Sequence, residues 1–141
     1  MKIAIASDHG GYNLKEELFK YLKDKYEIVD FGTNSTQSCD YPVYAKKVVN
    51  AILNENFDRG ILICGTGIGM AITANRFKGI RAANVSDTYS ARLTRLHNNS
   101  NVLTLGARAL GEGLAMDIVD IWLNTDFEGG RHQKRIDMID E

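Results

Sequence analysis

The sequence is short of the features that mark membrane, secreted and disulfide-bonded proteins. Its longest apolar runs, Ile3–Ala6 and Gly60–Cys64, are far shorter than the ~20 residues of a membrane span or the ~7–15 apolar residues of a secretory signal. It contains only two cysteines, Cys39 and Cys64. We therefore expect a cytoplasmic protein whose cysteines are free thiols, because disulfides are rare in a reducing compartment.

The sequence also lacks an excess of charge of either sign. Its 17 Lys and Arg residues nearly balance 18 Asp and Glu residues, which leaves a net charge of −1. This balance does not favour nucleic acid or an anionic membrane as a partner. A composition with 44% hydrophobic and 25% charged residues is typical of a globular protein, and 141 residues predict one domain, residues 1–141.

Short apolar runs alternate along the chain with longer stretches in which apolar residues recur at helical spacing. Strands are predicted over Lys2–Ala6, Glu27–Phe31, Gly60–Cys64, Arg81–Val85 and Asn101–Leu105. Helices are predicted over Asn13–Lys23, from Pro42 to Leu53, over Met70–Arg76, from Asp87 to about His97, and over Glu112–Leu123, the last with Leu114, Ile118, Ile121 and Trp122 inward. This order predicts a three-layer α/β/α, Rossmann-like fold with a five-stranded parallel sheet, whose ligands bind beyond the carboxyl ends of the strands.

A glycine loop directly follows the third predicted strand, with glycines at the alternate positions Gly65, Gly67 and Gly69. Such a loop lets backbone N–H groups approach a ligand, and the helix after it favours an anion or a developing oxyanion. The dinucleotide pattern G-x-G-x-x-G fails, because Met70 and Ile72 stand where its third glycine would fall. No Gly-Lys-Ser/Thr of a phosphate-binding P-loop is present either.

Two residues next to predicted strand ends have both a structural and a functional interpretation. Cys64 is either a small buried hydrophobic residue or a thiol activated by the donor-rich loop that follows it. Asp8 precedes His9 and two glycines, and it is either a helix cap or part of a site.

Near the carboxyl terminus, Arg131 and Arg135 are four residues apart. If Gly130 precedes a helical turn, both guanidinium groups face one way and could hold a phosphate; otherwise they form a solvated basic tail. His97 is expected at a helix end, and His132 is expected to be solvated rather than a ligand. The histidines and cysteines are too scattered to predict a metal site.

Six separated motifs cover essentially the whole chain: Ser7-Asp8-His9-Gly10-Gly11-Tyr12, Asp40-Tyr41-Pro42, Ile63-Cys64-Gly65-Thr66-Gly67-Ile68-Gly69-Met70, Arg95-Leu96-His97-Asn98, Leu105-Gly106-Ala107-Arg108 and Glu128-Gly129-Gly130-Arg131-His132. Together they closely resemble the ribose-5-phosphate isomerase B family, which includes allose- and galactose-6-phosphate isomerases. The resemblance implies strand order 2-1-3-5-4 and a homodimer, in some members a dimer of dimers, with two shared active sites.

The resemblance further implies interconversion of ribose 5-phosphate and ribulose 5-phosphate through a cis-enediol, without a cofactor or metal. Cys64 is the implied proton-transferring base, with Thr66 bonded to it. The N–H groups of Gly65, Gly67 and Gly69 are implied to hold the enediolate oxygen.

The remaining implied roles concern ring opening and substrate binding. Asp8 and His97 are the implied ring-opening pair. The implied phosphate ligands are His9, Arg108, Arg131 and Arg135, and the implied contacts to sugar hydroxyls are Tyr41 and Asn98. Of these residues, the resemblance places His97, Asn98 and Arg108 on the partner subunit.

Two alternatives stay open at this point. The substrate could be another sugar phosphate of the same family, because Ala71 stands where many relatives carry serine. A galactose-6-phosphate isomerase would be built from two different chains, whereas this chain carries the base, the ring-opening histidine and both C-terminal arginines. A non-catalytic module that binds a sugar phosphate or nucleotide is the alternative from another class, and it would need no reactive thiol.

Overall fold

A computed structural model describes residues 1–141 as a three-layer α/β/α fold. The strands are β1 Lys2–Ser7, β2 Glu27–Asp30, β3 Arg59–Cys64, β4 Ala82–Asn84 and β5 Val102–Gly106. All neighbouring pairs are parallel and the order is β2-β1-β3-β5-β4. The fold class and the strand order expected from the sequence are therefore confirmed.

Six α-helices and one short 3-10 helix connect and follow the strands. The 3-10 helix is His9–Gly11, and the α-helices are α1 Tyr12–Leu22, α2 Tyr41–Asn54, α3 Ile68–Ala74, α4 Thr88–Asn98, α5 Glu112–Asn124 and α6 Arg131–Asp137. Asp87 caps α4 as its position predicts, because its carboxylate accepts the Ser90 N–H at 2.7 Å. Arg131 and Arg135 lie on α6, so the predicted helical turn after Gly130 is present.

The sheet separates two hydrophobic clusters. Ile3 and Ile5 of β1 belong to the cluster beneath α1 and α5, whereas Ala4 and Ala6 belong to the cluster beneath α2 and α3. Successive strand residues point to opposite faces, which is why β1 and β3 contain no polar alternation.

Two details of the helices and strands differ from expectation. Strand β4 is only Ala82–Asn84, because it lies at the sheet edge and pairs with β5 alone. Leu114 was expected to face inward but is 39% exposed, since it lies in the first turn of α5, before the helix reaches the core. No helix combines the length and the apolar character that crossing a membrane would require.

Candidate active site

Cys64 is the last residue of β3 and lies at the carboxyl edge of the sheet between two neighbouring strands. The Cys64 carbonyl accepts the Ala107 N–H at 2.9 Å, and Cys64 is only 5% exposed. The Gly67 N–H donates to the Cys64 Sγ at 3.1 Å. This amide therefore fixes the position of the sulfur at the wall of the glycine loop.

The glycine loop holds that geometry through close backbone packing. Gly67 has φ +80° and begins α3, a conformation that glycine adopts without strain. A Cβ at Gly67 would meet the Asn84 Oδ1 and lie 2.9 Å from the Leu105 carbonyl carbon. A Cβ at Gly69 would lie 2.6 Å from the Tyr41 ring. The loop therefore depends on glycine at position 67, and a side chain at position 69 would have to displace the Tyr41 ring.

Thr66 has a different partner from the one that the resemblance implies. Its hydroxyl accepts the Ile68 N–H at 3.2 Å, and the residue is exposed. The expected bond between Thr66 and Cys64 is absent, because a threonine in a tight loop readily bonds to the amide two residues on. The Gly67 N–H, and not the Thr66 hydroxyl, donates to the Cys64 sulfur.

An open cavity of about 480 Å³ lies over Cys64. The residues that line it are Asp8, Tyr41, Cys64, Gly65, Thr66, Ile68, Gly69, Ile72 and Arg108. Asp8 also accepts the Gly11 N–H at 3.1 Å, so the carboxylate is both a cap and a wall of the cavity. The Gly65 N–H has no hydrogen-bond partner within the chain, which leaves it available to a ligand.

Arg108 of this chain lies at the cavity over Cys64, whereas the resemblance implies that this arginine comes from the partner subunit. Its backbone N–H donates to the Gly65 carbonyl at 3.0 Å. Its guanidinium lies 3.4 Å from the ideal Cβ position of Gly65 and 3.5 Å from that of Gly10. Because β5 pairs directly with β3, the segment after β5 brings Arg108 to the cavity that the Cys64 of the same chain lines.

His9 lies at the same edge and is oriented by the loop before α2. The Cys39 N–H donates to the His9 Nδ1 at 3.2 Å, and the Cys39 sulfur lies 3.9 Å from the same nitrogen. An acceptor role for Nδ1 makes Nε2 the protonated nitrogen of the neutral ring. Local sequence does not indicate that the backbone N–H of Cys39 positions His9.

The other predicted site residues lie at the opposite edge of the sheet. The Asn98 carbonyl accepts the Arg81 Nε–H at 3.0 Å, and Arg81 directly precedes β4. His97 and Asn98 therefore lie at the amino edge of the sheet, opposite the edge that holds Cys64. They line a second open cavity, of about 490 Å³, together with Arg131, His132, Arg135, Ile136 and Ile139.

His132 is buried, contrary to the expectation that it is solvated. It is 5% exposed, and its ring stacks on His97 with centroids 4.3 Å apart and an angle of 17°. Burial lowers the pKa of His132 from its ordinary value, and the neighbouring His97 and Arg131 lower that pKa further. The two rings meet because α6 packs against α4. This packing joins distant parts of the chain, so the sequence around His132 does not predict its burial.

Glu128 joins this pair, although the sequence analysis did not single it out. Its carboxylate oxygens lie 4.0 Å from the His97 Nε2 and 3.7 Å from the His132 Nε2. It also lies 3.9 Å from the Arg131 Nη1. The spacing of four residues between Glu128 and His132 is the one sequence signal that could have drawn attention to the pair.

Comparison with known proteins finds relatives that cover nearly the whole chain. Ribose-5-phosphate isomerase B of Escherichia coli is 50% identical over 139 residues, which are 98% of this chain and 93% of that protein. The structure of ribose-5-phosphate isomerase B from Clostridium thermocellum superimposes with a TM-score of 0.97 at 53% identity, covering 99% of this chain and 95% of that one.

A relative with a bound sugar phosphate is also similar. Ribose-5-phosphate isomerase B from Mycoplasma genitalium, with bound ribulose 5-phosphate, has a TM-score of 0.93 and 45% identity over 98% of this chain and 93% of that one. The family model described as Ribose/Galactose Isomerase matches residues 3–139. With a matching fold and nearly the whole length covered, this chain belongs to the ribose/galactose isomerase family.

Proposed function

We propose that this isomerase interconverts ribose 5-phosphate and ribulose 5-phosphate, and that Cys64 transfers the proton. The observation that carries the proposal is the buried Cys64 thiol with the Gly67 N–H at 3.1 Å from its sulfur, in the wall of a cavity that also contains Asp8 and Arg108. A binding module would need no thiol held in this way. The similar proteins of known name support the choice of sugar.

The chemistry needs one base and a site for negative charge. Moving a proton between C1 and C2 on one face of a cis-enediol needs a single group that accepts and returns it, and a thiolate can do both. The enediolate oxygen needs donors that are already in place. The Gly65 N–H is free within the chain, and the first N–H groups of α3, including that of Gly69, have no helical acceptor.

A furanose must open before the proton moves, and we assign this step to Asp8 and His97. The two residues lie at opposite edges of the sheet in one chain, so a second copy must bring His97 to the cavity over Cys64. We therefore propose a homodimer with two shared active sites. A dimer of dimers would need a further buried face. Ile68 and Ile72 support the dimer, because they lie four residues apart on α3 beside the cavity and are 52% and 56% exposed.

The phosphate would be held from both chains. Arg108 and His9 lie at the edge with Cys64, and the partner would add Arg131 and Arg135 from α6. Guanidinium groups bind phosphate through several charge-assisted hydrogen bonds, and this remote binding energy positions the sugar. We assign Tyr41 of the first chain and Asn98 of the second to the sugar hydroxyls.

The proposed reaction is complete without a redox cofactor or a resident metal, since the proton is only moved within the substrate. We place the enzyme in the cytoplasm, because Cys39 and Cys64 are free thiols and a thiolate base must stay reduced. Its substrate and product belong to pentose phosphate metabolism.

The test is ketose formation from ribose 5-phosphate by the purified protein. Cys64→Ala and Cys64→Ser should lower kcat by orders of magnitude with little change in substrate binding. Cys39→Ser is the matched control, since it also removes a thiol, and we expect only a small effect because the backbone N–H that donates to His9 is retained. If Cys64→Ala keeps more than about a tenth of the rate, a loss of only ~1.4 kcal/mol, the base is another group. Allose 6-phosphate and galactose 6-phosphate, assayed in parallel, identify the preferred sugar.

A further inference from the structure

We propose that His97, Glu128 and His132 form a binding site for a divalent transition metal of the Zn²⁺ class, and that the bound metal inhibits the enzyme. All three ligand atoms lie within 4.8 Å of one another. They come from α4, from the segment before α6 and from α6 itself, within one chain. The site therefore does not depend on a second subunit.

The distances are close to those of a metal centre. The His97 Nε2 and the Glu128 Oε2 are 4.0 Å apart, and the His132 Nε2 and the Glu128 Oε1 are 3.7 Å apart. A tetrahedral Zn²⁺ with bonds of ~2.0–2.1 Å places its ligand atoms ~3.3–3.5 Å apart. Glu128 is about half exposed at its side chain, so a small rotation brings its carboxylate to that distance. The fourth position stays open for water.

The burial of His132 is the independent observation that points to a ligand. Its Nε2 is buried and has no hydrogen-bond partner, and the whole residue is 5% exposed. A buried polar atom without a partner has a free-energy cost, and such atoms are rare in folded proteins. The same nitrogen faces the Glu128 carboxylate at 3.7 Å, which is too long for a hydrogen bond. A metal between them would satisfy both groups.

The ligands and the surrounding charges define which cation fits. Two imidazoles and one carboxylate suit Zn²⁺, Co²⁺, Ni²⁺ or Cu²⁺ rather than Mg²⁺ or Ca²⁺, which prefer oxygen ligands. Arg131 lies 3.9 Å from the Glu128 carboxylate, and both Arg131 and Arg135 act electrostatically on His132. This positive charge opposes a cation, so we expect the metal to bind reversibly.

The consequence for catalysis rests on the proposed function. A metal on the His97 Nε2 occupies the lone pair that would accept a proton during ring opening. No bond to the substrate is made or broken by the metal, and Cys64 at the opposite edge of the same chain is not a ligand. Bound metal should therefore slow turnover of cyclic ribose 5-phosphate by removing the ring-opening group.

The binding test uses Co²⁺ with the intact protein, followed by absorption spectroscopy and calorimetry. We expect one Co²⁺ per chain, without the charge-transfer absorption that a thiolate ligand would cause. Glu128→Gln and His132→Gln should each weaken binding by more than about tenfold, whereas Glu17→Gln, a change at another exposed carboxylate, should leave it unchanged. Unchanged affinity in Glu128→Gln, or a thiolate band from Cys64 or Cys39, would overturn the proposal. Glu128 is exposed, so its variant tests the site even if His132→Gln fails to fold.

The activity test measures the fraction of each protein's own rate that remains at increasing Zn²⁺. Wild-type enzyme should be inhibited, and Glu128→Gln should need more than about ten times as much Zn²⁺. Equal inhibition of both would place the inhibiting metal elsewhere, with Cys64 as the first alternative, and would refute the inference. If the wild type shows no isomerase activity but binds Co²⁺ as described, the proposed function fails while the metal site stands.

Discussion

Two inactive variants of this enzyme should restore activity when they are mixed. Cys64→Ala removes the proposed base at the carboxyl edge of the sheet, and His97→Asn removes the proposed ring-opening group at the amino edge. Helix α4 has 11 residues and is therefore roughly 16 Å long. Both groups must come within about 3 Å of the same sugar, so we expect His97 to act with the Cys64 of a partner chain and not with that of its own chain.

The expected recovery follows from the symmetry of a two-chain assembly. Random exchange in a 1:1 mixture makes about half of the dimers mixed, and each mixed dimer has one site with both lesions and one intact site. About a quarter of wild-type activity should therefore return. The assay is ketose formation from ribose 5-phosphate after subunit exchange, with the mixed dimers counted by native mass spectrometry.

A matched pair of variants provides the control. Cys64→Ala and Asp8→Ala lie at the same edge and line the same cavity, so every site of their mixed dimer keeps a lesion and no activity should return. If exchange is confirmed and the Cys64→Ala and His97→Asn pair stays inactive, His97 either serves its own chain or has no part in the reaction. His97→Asn should also be less impaired on erythrose 4-phosphate, which cannot close a furanose ring, if the site accepts that sugar.

Three further outcomes are expected. Arg131→Ala and Arg135→Ala should each raise KM for ribose 5-phosphate by about tenfold or more, because a hydrogen bond to a charged group contributes ~1.5–3 kcal/mol; equal efficiency on unphosphorylated ribose would contradict a phosphate site. Gly67→Ala should lower the free energy of unfolding by about 1–3 kcal/mol, since φ is +80° there, whereas Gly111→Ala, at φ −70° with no atom within 4 Å of its Cβ, should be nearly neutral in thermal denaturation. The free energy of unfolding should fall as the pH is lowered through 6.5, the ordinary pKa of His132, toward the lower pKa of this residue in the folded chain. The reason is that the unfolded chain binds the proton at a higher pH than the folded chain does. His132→Gln should lose less stability over the same pH range, and an identical loss would exclude His132 as a cause.

The local structure around Cys64, at the carboxyl edge of the sheet, could be predicted from the sequence. The run from Cys64 to Gly69 predicted a strand, a loop with close backbone approach and a following helix, because each of these depends on neighbouring residues only. The alternation of strand and helix patterns predicted a parallel sheet, because a helix between two strands carries the chain back to the edge where the first strand began. Features that depend on the surrounding structure were predicted less accurately. Strand β4 is shorter than the predicted Arg81–Val85, and Leu114 is exposed at the start of α5 although it was predicted to be buried.

The sequence by itself determined the order of the elements, the thiol at the end of β3 and the glycine loop, since periodicity and turn chemistry act over a few residues. Tertiary structure alone decided that Arg108 lies beside Gly65, that His97 lies at the opposite edge of the sheet from the Cys64 of its own chain, and that His132 is buried against His97 beside Glu128. These arrangements join segments far apart in the chain. They follow from the strand order and from the packing of α4 against α6. The burial of apolar faces decides which side chains come into contact there, and the conformational preferences of neighbouring residues do not.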